Sequence, residues 1–129
     1  MKTGITFGAY DPLHYGHLEV FRRARNQCDR LVVCVSDSAY IQEKKGHPER
    51  VPLTERMRAL LLLRPIDDVD VQSLEQSKKD LIDKHGADVI YVGDDWTPET
   101  FTGEGLGIPV VYLPHTKNIS STGLWHTNE

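Results

Sequence analysis

The fold is decided by one stretch near the amino terminus, GAYDPLHYGH at residues 8–17. An apolar run at 5–7 precedes it and is typical of a buried strand, and apolar residues within 18–24 follow with helical spacing. The stretch is therefore predicted to be a strand-to-helix turn. It places two histidines, His14 and His17, at the start of a helix.

Two imidazoles at this position indicate phosphate chemistry. A helix N-terminus offers unpaired backbone N–H groups and the positive end of the helix dipole, which together favour an anion. Gly8 lets the backbone approach a ligand closely, and Gly16 leaves no side chain between the two rings. The rings can then donate hydrogen bonds to developing negative charge. For the HxGH pattern alone, two histidines without a function are an equally good interpretation.

Length, charge and composition exclude several classes of protein. The chain has 129 residues and a formal charge of -4 without a basic tract, so nucleic acid is not an expected partner. No apolar run approaches the ~18–20 residues that span a bilayer, so no membrane partner is expected. The cysteines, Cys28 and Cys34, fit buried thiols of a reducing compartment. We therefore expect a soluble cytoplasmic protein with one domain over residues 1–129.

Strand and helix patterns alternate along the chain. Strands are predicted at 2–8, 31–35, 69–71, 89–92 and 110–113, and helices at 15–27, 54–63, 75–85 and from about 120. The polar segment 36–52 is predicted to be a long loop, of a kind that is often functional or mobile, and Thr54 is predicted to be a helix N-cap with Leu60 and Leu61 facing the core. The alternation predicts an α/β fold, a single Rossmann-like, doubly wound domain with a five-stranded parallel sheet.

Three polar turns follow strands of this predicted sheet, at 8–17, 93–96 and 115–122. In doubly wound sheets, ligands bind at the carboxyl ends of the strands, so the three turns should share one edge. Each has a structural alternative, because 93–96 can be a turn with a capping aspartate and the hydroxyls of 120–122 can be a helix cap. Together they suit the sugar and the triphosphate of a nucleotide.

These motifs resemble a known family. The sequence contains HxGH at 14–17, GDDW at 93–96 and HTKNISST at 115–122, the last of which is similar to RTxGISTT. This set resembles the small bacterial cytidylyltransferases, and among them the glycerol-3-phosphate cytidylyltransferase group. HxGH marks the wider nucleotidyltransferase superfamily, and GDDW narrows the resemblance to cytidylyl transfer. The resemblance covers nearly the whole chain and implies the nucleotidyltransferase type of the fold.

The resemblance implies a reaction in which a substrate phosphate oxygen attacks the α-phosphorus of CTP. CMP is transferred to a small phosphorylated alcohol and pyrophosphate is released. His14 and His17 would stabilise the charge of the transition state, and Lys44 would close over the phosphates as a mobile charge, with Lys45 as its substitute. Mg²⁺ is the expected ion, bound mainly to phosphate oxygens, so no dedicated metal ligands are expected in the protein.

The resemblance also implies binding residues. Asp11 would anchor the turn or lie near the metal, Arg56 would bind the substrate phosphate, and Arg64 would do so too or would pair across a dimer interface. A homodimer is the expected assembly. The residues expected to bind the nucleotide are Gly8, Ala9, Tyr10, Asp11, Gly16, Asp94, Trp96, His115, Thr116, Ser120, Ser121 and Thr122.

Departures from the family pattern bear on the acceptor. His115 stands where the family has a permanently charged arginine, and Asn118 stands where it has a glycine. Lys117 can restore positive charge nearby. The nucleotide-binding hydroxyls are kept, so we expect CTP as the donor, with glycerol 3-phosphate, a related polyol phosphate or a phosphonate as the acceptor.

Two alternatives remain at this stage. One is an adenylyltransferase of the same fold that uses ATP, against which GDDW at 93–96 argues, as does the lack of an arginine at positions 123 and 124. The other is a nucleotide-binding module without catalysis, against which the presence of both His14 and His17 argues.

Overall fold

The computed structural model describes residues 1–93 and 96–114. Within them are five strands and four helices. The strands are β1 (Thr3–Gly8), β2 (Arg30–Ser36), β3 (Asp68–Gln72), β4 (Val89–Gly93) and β5 (Val110–Leu113). The helices are α1 (Tyr15–Arg25), α2 (Ser38–Lys45), α3 (Leu53–Leu61) and α4 (Lys78–His85).

The strands form one parallel sheet with the order β3-β2-β1-β4-β5. The chain therefore winds outward from β1 to β3, returns across the sheet, and continues through β4 to β5. Ile5 in β1 lies between Val32 of β2 and Ile90 of β4, which fixes the register at the centre. This is the doubly wound α/β fold that the sequence predicts. Its switch point lies between β1 and β4, where a ligand crevice is expected.

Both faces of the sheet are covered, which explains the continuous apolar runs of its strands. One core includes Phe21 and Ala24 from α1 and Leu60 from α3, packed on Leu31 and Val33 of β2. The opposite core contains Val32 and Cys34 of β2 together with Leu81 and Ile82 of α4. Alternate residues of β2 thus serve opposite cores. Cys28 and Cys34 are buried thiols outside any disulfide, as predicted.

The prediction of one long loop over 36–52 is wrong, because α2 lies inside it. The helix begins where the Asp37 side chain accepts a hydrogen bond from the Tyr40 amide, and it ends at Gly46 in the left-handed conformation, with φ of 74°. Ile41 is its one buried residue, so apolar periodicity does not reveal this helix. The capping residues are the signal that remains in the sequence.

Two other helix boundaries also differ from the prediction. Helix α3 begins at Leu53, with Pro52 rather than Thr54 at the N-cap position, and Leu61 is 60% exposed instead of facing the core. Helix α4 begins at Lys78 rather than near residue 75, because Ser77 and Asp80 form a reciprocal capping box. None of the helices in the described parts of the chain has the length and apolar character needed to cross a membrane.

Candidate active site

A cavity of about 820 Å³ opens at the carboxyl ends of β1 and β4, which is the switch point of the sheet. A volume of this size is typical of a site for a small organic ligand. The cavity collects predicted residues from β1, the following turn, α1, α2 and the segment after β4. These are Gly8, Ala9, Tyr10, Asp11, His14, Gly16, His17, Lys44, Lys45 and Trp96.

The two histidines are oriented by hydrogen bonds to the first turn of α1. Gly16 N–H donates to Nδ1 of His14 at 3.0 Å, and His14 N–H donates to Nδ1 of His17 at 3.1 Å. The rings stack with centroids 3.8 Å apart. Because Nδ1 is the acceptor in each ring, the proton of the neutral imidazole lies on Nε2. The pair is therefore set up as two Nε2–H donors side by side.

The environment of His17 keeps it neutral. Its pKa is lowered to about 4, mainly by burial and in addition by the neighbouring His14 and Lys45. At pH 7 His17 is thus an uncharged hydrogen-bond donor rather than a fixed cation. A donor of this kind can stabilise negative charge as it develops, without a permanent ion pair to the substrate.

The Tyr10 side chain packs against the ring of His17. Its backbone has a φ of 50°, which is uncommon outside glycine, and its ring meets the His17 ring edge-on at 5.1 Å and the Phe21 ring at 5.2 Å. The Tyr10 ring also lies across Gly8, where an added Cβ would come within 2.7 Å of the tyrosine Cζ. Gly8 is therefore needed for the packing of Tyr10, as well as forming part of the cavity wall.

Asp11 anchors the turn, which was one of its two predicted roles. Its carboxylate oxygens accept hydrogen bonds from the Arg50 and Val51 amides, each at 2.7 Å. Burial opposes ionisation, but these two bonds together with the charges of Arg56 and Arg50 outweigh it and lower the pKa of Asp11. The carboxylate therefore stays ionised and joins the histidine turn to the segment before α3.

Arg56, predicted to bind the substrate phosphate, is a positioning residue in this structure and is not among the residues that line the cavity. It is 3% exposed, and its guanidinium donates to the backbone oxygens of Val51, Ala9 and Ser36 at 2.8, 2.9 and 2.6 Å. It also pairs with the Glu49 carboxylate. The guanidinium thus connects the histidine turn, the end of β2 and the segment before α3.

Three lysines line the same cavity as the histidines. Lys44 and Lys45 lie in the last turn of α2, not in a mobile loop, and Lys78 is the first residue of α4. The Lys78 ammonium lies 5.4 Å from the Phe7 ring centroid and 5.9 Å from that of Tyr40, while the Lys44 ammonium lies 6.0 Å from the Tyr40 ring. Burial and the nearby Lys44 lower the pKa of Lys78. This concentration of cations suits an anionic substrate.

Aromatic side chains line the end of the cavity after β4. Trp96 is 48% exposed, and its ring centroid lies 6.2 Å from that of the buried Phe101. Both residues line the cavity, so a flat ring system such as a nucleobase can be stacked or enclosed here. Arg23 of α1 also lines the cavity and donates to the Pro114 carbonyl oxygen, just beyond β5.

Other predicted residues are not brought to this cavity or cannot be located. Arg64 lies in the turn between α3 and β3, at the opposite edge of the sheet from the carboxyl ends of the strands, and is not among the residues that line the cavity. The remaining predicted nucleotide-binding residues lie outside the described residues. They are Asp94, His115, Thr116, Ser120, Ser121 and Thr122.

The described residues do not build a metal cage. Within 1–93 and 96–114 no group of three or more histidine, cysteine or acidic side chains could hold a metal ion. The two carboxylates that line the cavity already have partners, Asp11 with backbone amides and Glu19 with Arg22. The site therefore fits a Mg²⁺ that arrives on a triphosphate better than one resident on protein carboxylates.

Sequence reasoning missed Lys78, Tyr40 and Gln72, all of which line the cavity. It considered the turns after β1, β4 and β5 but not the turn after β3. In a doubly wound sheet every helix that follows a strand begins at the same edge, so the first residue of α4 belongs to the site by topology. The capping serine, Ser77, was the sequence signal for that helix start.

The fold and the paired histidines define an α/β protein of the nucleotidyltransferase type. The sequence profile of the cytidylyltransferase-like family matches residues 5–124, and the chain belongs to that family. It is 38% identical over 125 residues to a glycerol-3-phosphate cytidylyltransferase of Bacillus subtilis, covering 95% of this chain and 93% of that protein. The protein of the same name from Staphylococcus aureus is 37% identical over 124 residues, with coverages of 95% and 91%.

A solved structure shows the same fold at lower sequence similarity. The lipopolysaccharide core biosynthesis protein of Thermoplasma volcanium superposes with a TM-score of 0.73 at 21% identity, covering 91% of this chain and 98% of that one. The doubly wound architecture is therefore shared well beyond the proteins that are similar in sequence.

Proposed function

We propose that this protein is a CTP-dependent cytidylyltransferase that transfers CMP to a small phosphorylated alcohol and releases pyrophosphate. The observation that carries the proposal is the pair of stacked histidines at the start of α1, whose Nδ1 atoms accept backbone hydrogen bonds, inside the cavity at the switch point of the sheet. Membership of the cytidylyltransferase-like family and the names of the relatives support the nucleotide and the acceptor class.

The reaction is an in-line transfer at the α-phosphorus of CTP. An oxygen of the acceptor phosphate forms a new bond to that phosphorus, while the bond to the bridging oxygen of the β-phosphate breaks and pyrophosphate leaves. The Nε2–H groups of His14 and His17 donate hydrogen bonds to the oxygens on which charge develops. No covalent intermediate with the protein is needed, because catalysis comes from positioning and charge stabilisation.

The nucleotide lies on the histidine side of the cavity in this proposal. The backbone at Gly8 and Ala9 borders the phosphates, Gly16 adds no side chain beside the two rings, and Trp96 encloses the nucleoside. Six further nucleotide contacts remain predictions from the family resemblance, because they fall outside the described residues. They are Asp94, His115, Thr116, Ser120, Ser121 and Thr122.

The acceptor phosphate lies on the lysine side. Lys44 and Lys78 approach the same tyrosine ring from two helices, and Lys45 is close enough to His17 to lower its pKa. Three cations in the same cavity as the histidine donors would hold a doubly charged acceptor against the triphosphate. Mg²⁺ enters the proposal as the counter-ion of the triphosphate.

The assembly and the location are also proposed. A homodimer is the expected state, and the exposed Leu61 and Leu62, 60% and 86% accessible and next to Arg64, are the surface that we propose for its interface. Sedimentation of wild type and Leu62→Lys would test this, with a dimer-to-monomer change expected. We place the protein in the cytoplasm on the basis of its composition and its buried thiols.

The test of the proposal is pyrophosphate release with CTP, Mg²⁺ and glycerol 3-phosphate, with ³¹P NMR of the product. CTP should support turnover, and ATP should support at least tenfold less. Faster turnover with ATP would instead indicate an adenylyltransferase of the same fold. CTP binding without turnover on any phosphorylated alcohol, polyol phosphate or phosphonate would indicate a non-catalytic module.

A further inference from the structure

A second cavity of about 370 Å³ adjoins the first on the lysine side. Five residues line both cavities and so form the boundary between them: Tyr40, Lys44, Gln72, Lys78 and Thr102. A molecule that reaches from the first cavity into the second must pass these side chains. Lys44 and Lys78 line the second cavity and the histidines do not, so it belongs to the side assigned above to the acceptor.

Tyr40 is fixed at this boundary by contacts from three elements. Its amide donates to Asp37 at the start of α2. Its hydroxyl oxygen accepts from Nε2 of Gln72 at 3.0 Å and lies 3.5 Å from the Lys78 ammonium. Gln72 is itself 3% exposed at the end of β3, so the position of the hydroxyl is set by the sheet.

The hydroxyl of Tyr40 is oriented as a donor. A phenol oxygen has two acceptor positions and one hydrogen, and the donors from Gln72 and Lys78 occupy the acceptor positions. Burial raises the pKa of Tyr40, so the phenol keeps its proton at neutral pH. Its O–H is therefore directed away from both partners and can bond to an oxygen of a molecule at the boundary.

The lining of the second cavity favours neutral hydroxyl groups over a second anion. Lys79 is its additional cation, and the Lys79 ammonium is paired with the Asp83 carboxylate at 3.0 Å. The hydroxyls of Ser73 and Ser77 accept backbone hydrogen bonds, which leaves the hydrogen of each to donate. Leu74 also lines this cavity and provides apolar surface for carbon atoms.

We propose that Tyr40 is a specificity-determining residue that donates its O–H to a hydroxyl of the acceptor, and that the acceptor is a polyol phosphate of more than three carbons. Its phosphate lies between the histidines and the lysines, and its carbon chain runs past Tyr40 into the second cavity. This inference rests on the proposed function and names the acceptor class of that site. A site that bonds a substrate hydroxyl selects against molecules that lack it.

The experiment compares kcat/KM with CTP for ribitol 5-phosphate, a five-carbon polyol phosphate, and for glycerol 3-phosphate. Wild type should prefer the five-carbon acceptor at least tenfold. Tyr40→Phe should reduce this ratio by about tenfold, mostly through the KM of ribitol 5-phosphate, because only the longer acceptor loses a hydrogen bond. Leu74→Trp, which fills the second cavity, should also reduce the ratio. Gln27→Trp, which places the same large side chain at an exposed position that lines neither cavity, should leave it unchanged.

The outcomes separate this inference from the proposed function. Turnover with glycerol 3-phosphate at the same efficiency as with ribitol 5-phosphate would overturn the inference and leave the cytidylyltransferase assignment standing. An equal loss for both acceptors in Tyr40→Phe would overturn it as well, because it would show a role confined to the phosphate or to folding. No turnover with CTP and either acceptor, or with any other phosphorylated alcohol, would overturn both.

Discussion

The two sides of the main cavity are built in different ways. On the histidine side, His14 and His17 are oriented by backbone hydrogen bonds within one helical turn. On the lysine side, Lys44 and Lys78 project from two separate helices, with ammonium groups 5.4–6.0 Å from aromatic rings. The first arrangement preorganises donors for a reaction that is the same in every turnover. The second uses long side chains that can adjust to the acceptor.

The largest expected effect is on the histidine side. His17→Ala removes one donor to the developing charge, so kcat should fall by roughly 10²-fold or more. Pyrophosphate release measures the rate, and circular dichroism checks that the fold is retained. His47→Ala, outside the cavity lining, is the matched control and should keep near wild-type turnover. Near-normal turnover of His17→Ala would show that the histidine pair does not act on the reacting phosphates.

The second prediction concerns the contacts that hold the histidine side in place. Arg56→Met leaves Glu49 without its partner and removes the donors to three backbone oxygens, which should lower the free energy of unfolding by about 3 kcal/mol. Urea denaturation measures the change. Arg58→Met on the exposed side of the same helix is the control and should alter stability by less than about 0.5 kcal/mol. Equal stability of the two variants would contradict the positioning role of Arg56.

A smaller expected effect is a pH dependence of the free energy of unfolding, because the pKa of His17 is lowered to about 4 in the folded protein. The unfolded chain takes up this proton near pH 6.5, so it binds more protons than the folded protein between these two values. The contribution of His17 to the free energy of unfolding is therefore fully present above about pH 6.5 and is lost as the pH falls towards 4. Between pH 7 and pH 5 the contribution should be about 2 kcal/mol.

Urea denaturation at pH 7 and pH 5 measures this dependence in wild type and in His17→Asn. The variant keeps a side-chain oxygen that can accept the His14 amide but has no titrating group, so its stability should fall less between the two pH values. The same fall in both proteins would show that His17 is not the group responsible.

The contrast between the two sides also explains what the sequence could predict. The histidine turn is contiguous, so strand pattern, HxGH spacing and helix start were enough to place His14 and His17 in one site. The lysine side is assembled from α2 and α4, and α2 has little apolar periodicity because Ile41 is its one buried residue. Lys78 and Gln72 are separated from the histidines by more than 50 residues and meet them only through the sheet order.

Arg56 shows a second limit of the sequence. An arginine after a polar segment is compatible with a phosphate ligand and with a buried structural cation, and only the three carbonyl oxygens around its guanidinium distinguish the two. The role of Tyr40 likewise cannot be predicted from the sequence, because it depends on the side-chain amide nitrogen of Gln72 lying 3.0 Å from the tyrosine hydroxyl.

The division of the site into a nucleotide side and an acceptor side is tested most directly by calorimetric titration of Lys78→Met. We expect a CTP dissociation constant within about twofold of wild type and an acceptor dissociation constant, measured on the CTP-bound protein, at least tenfold weaker. The tenfold change corresponds to about 1.4 kcal/mol. A variant that loses CTP affinity by the same factor, with acceptor binding unchanged, would contradict the assignment of the two sides.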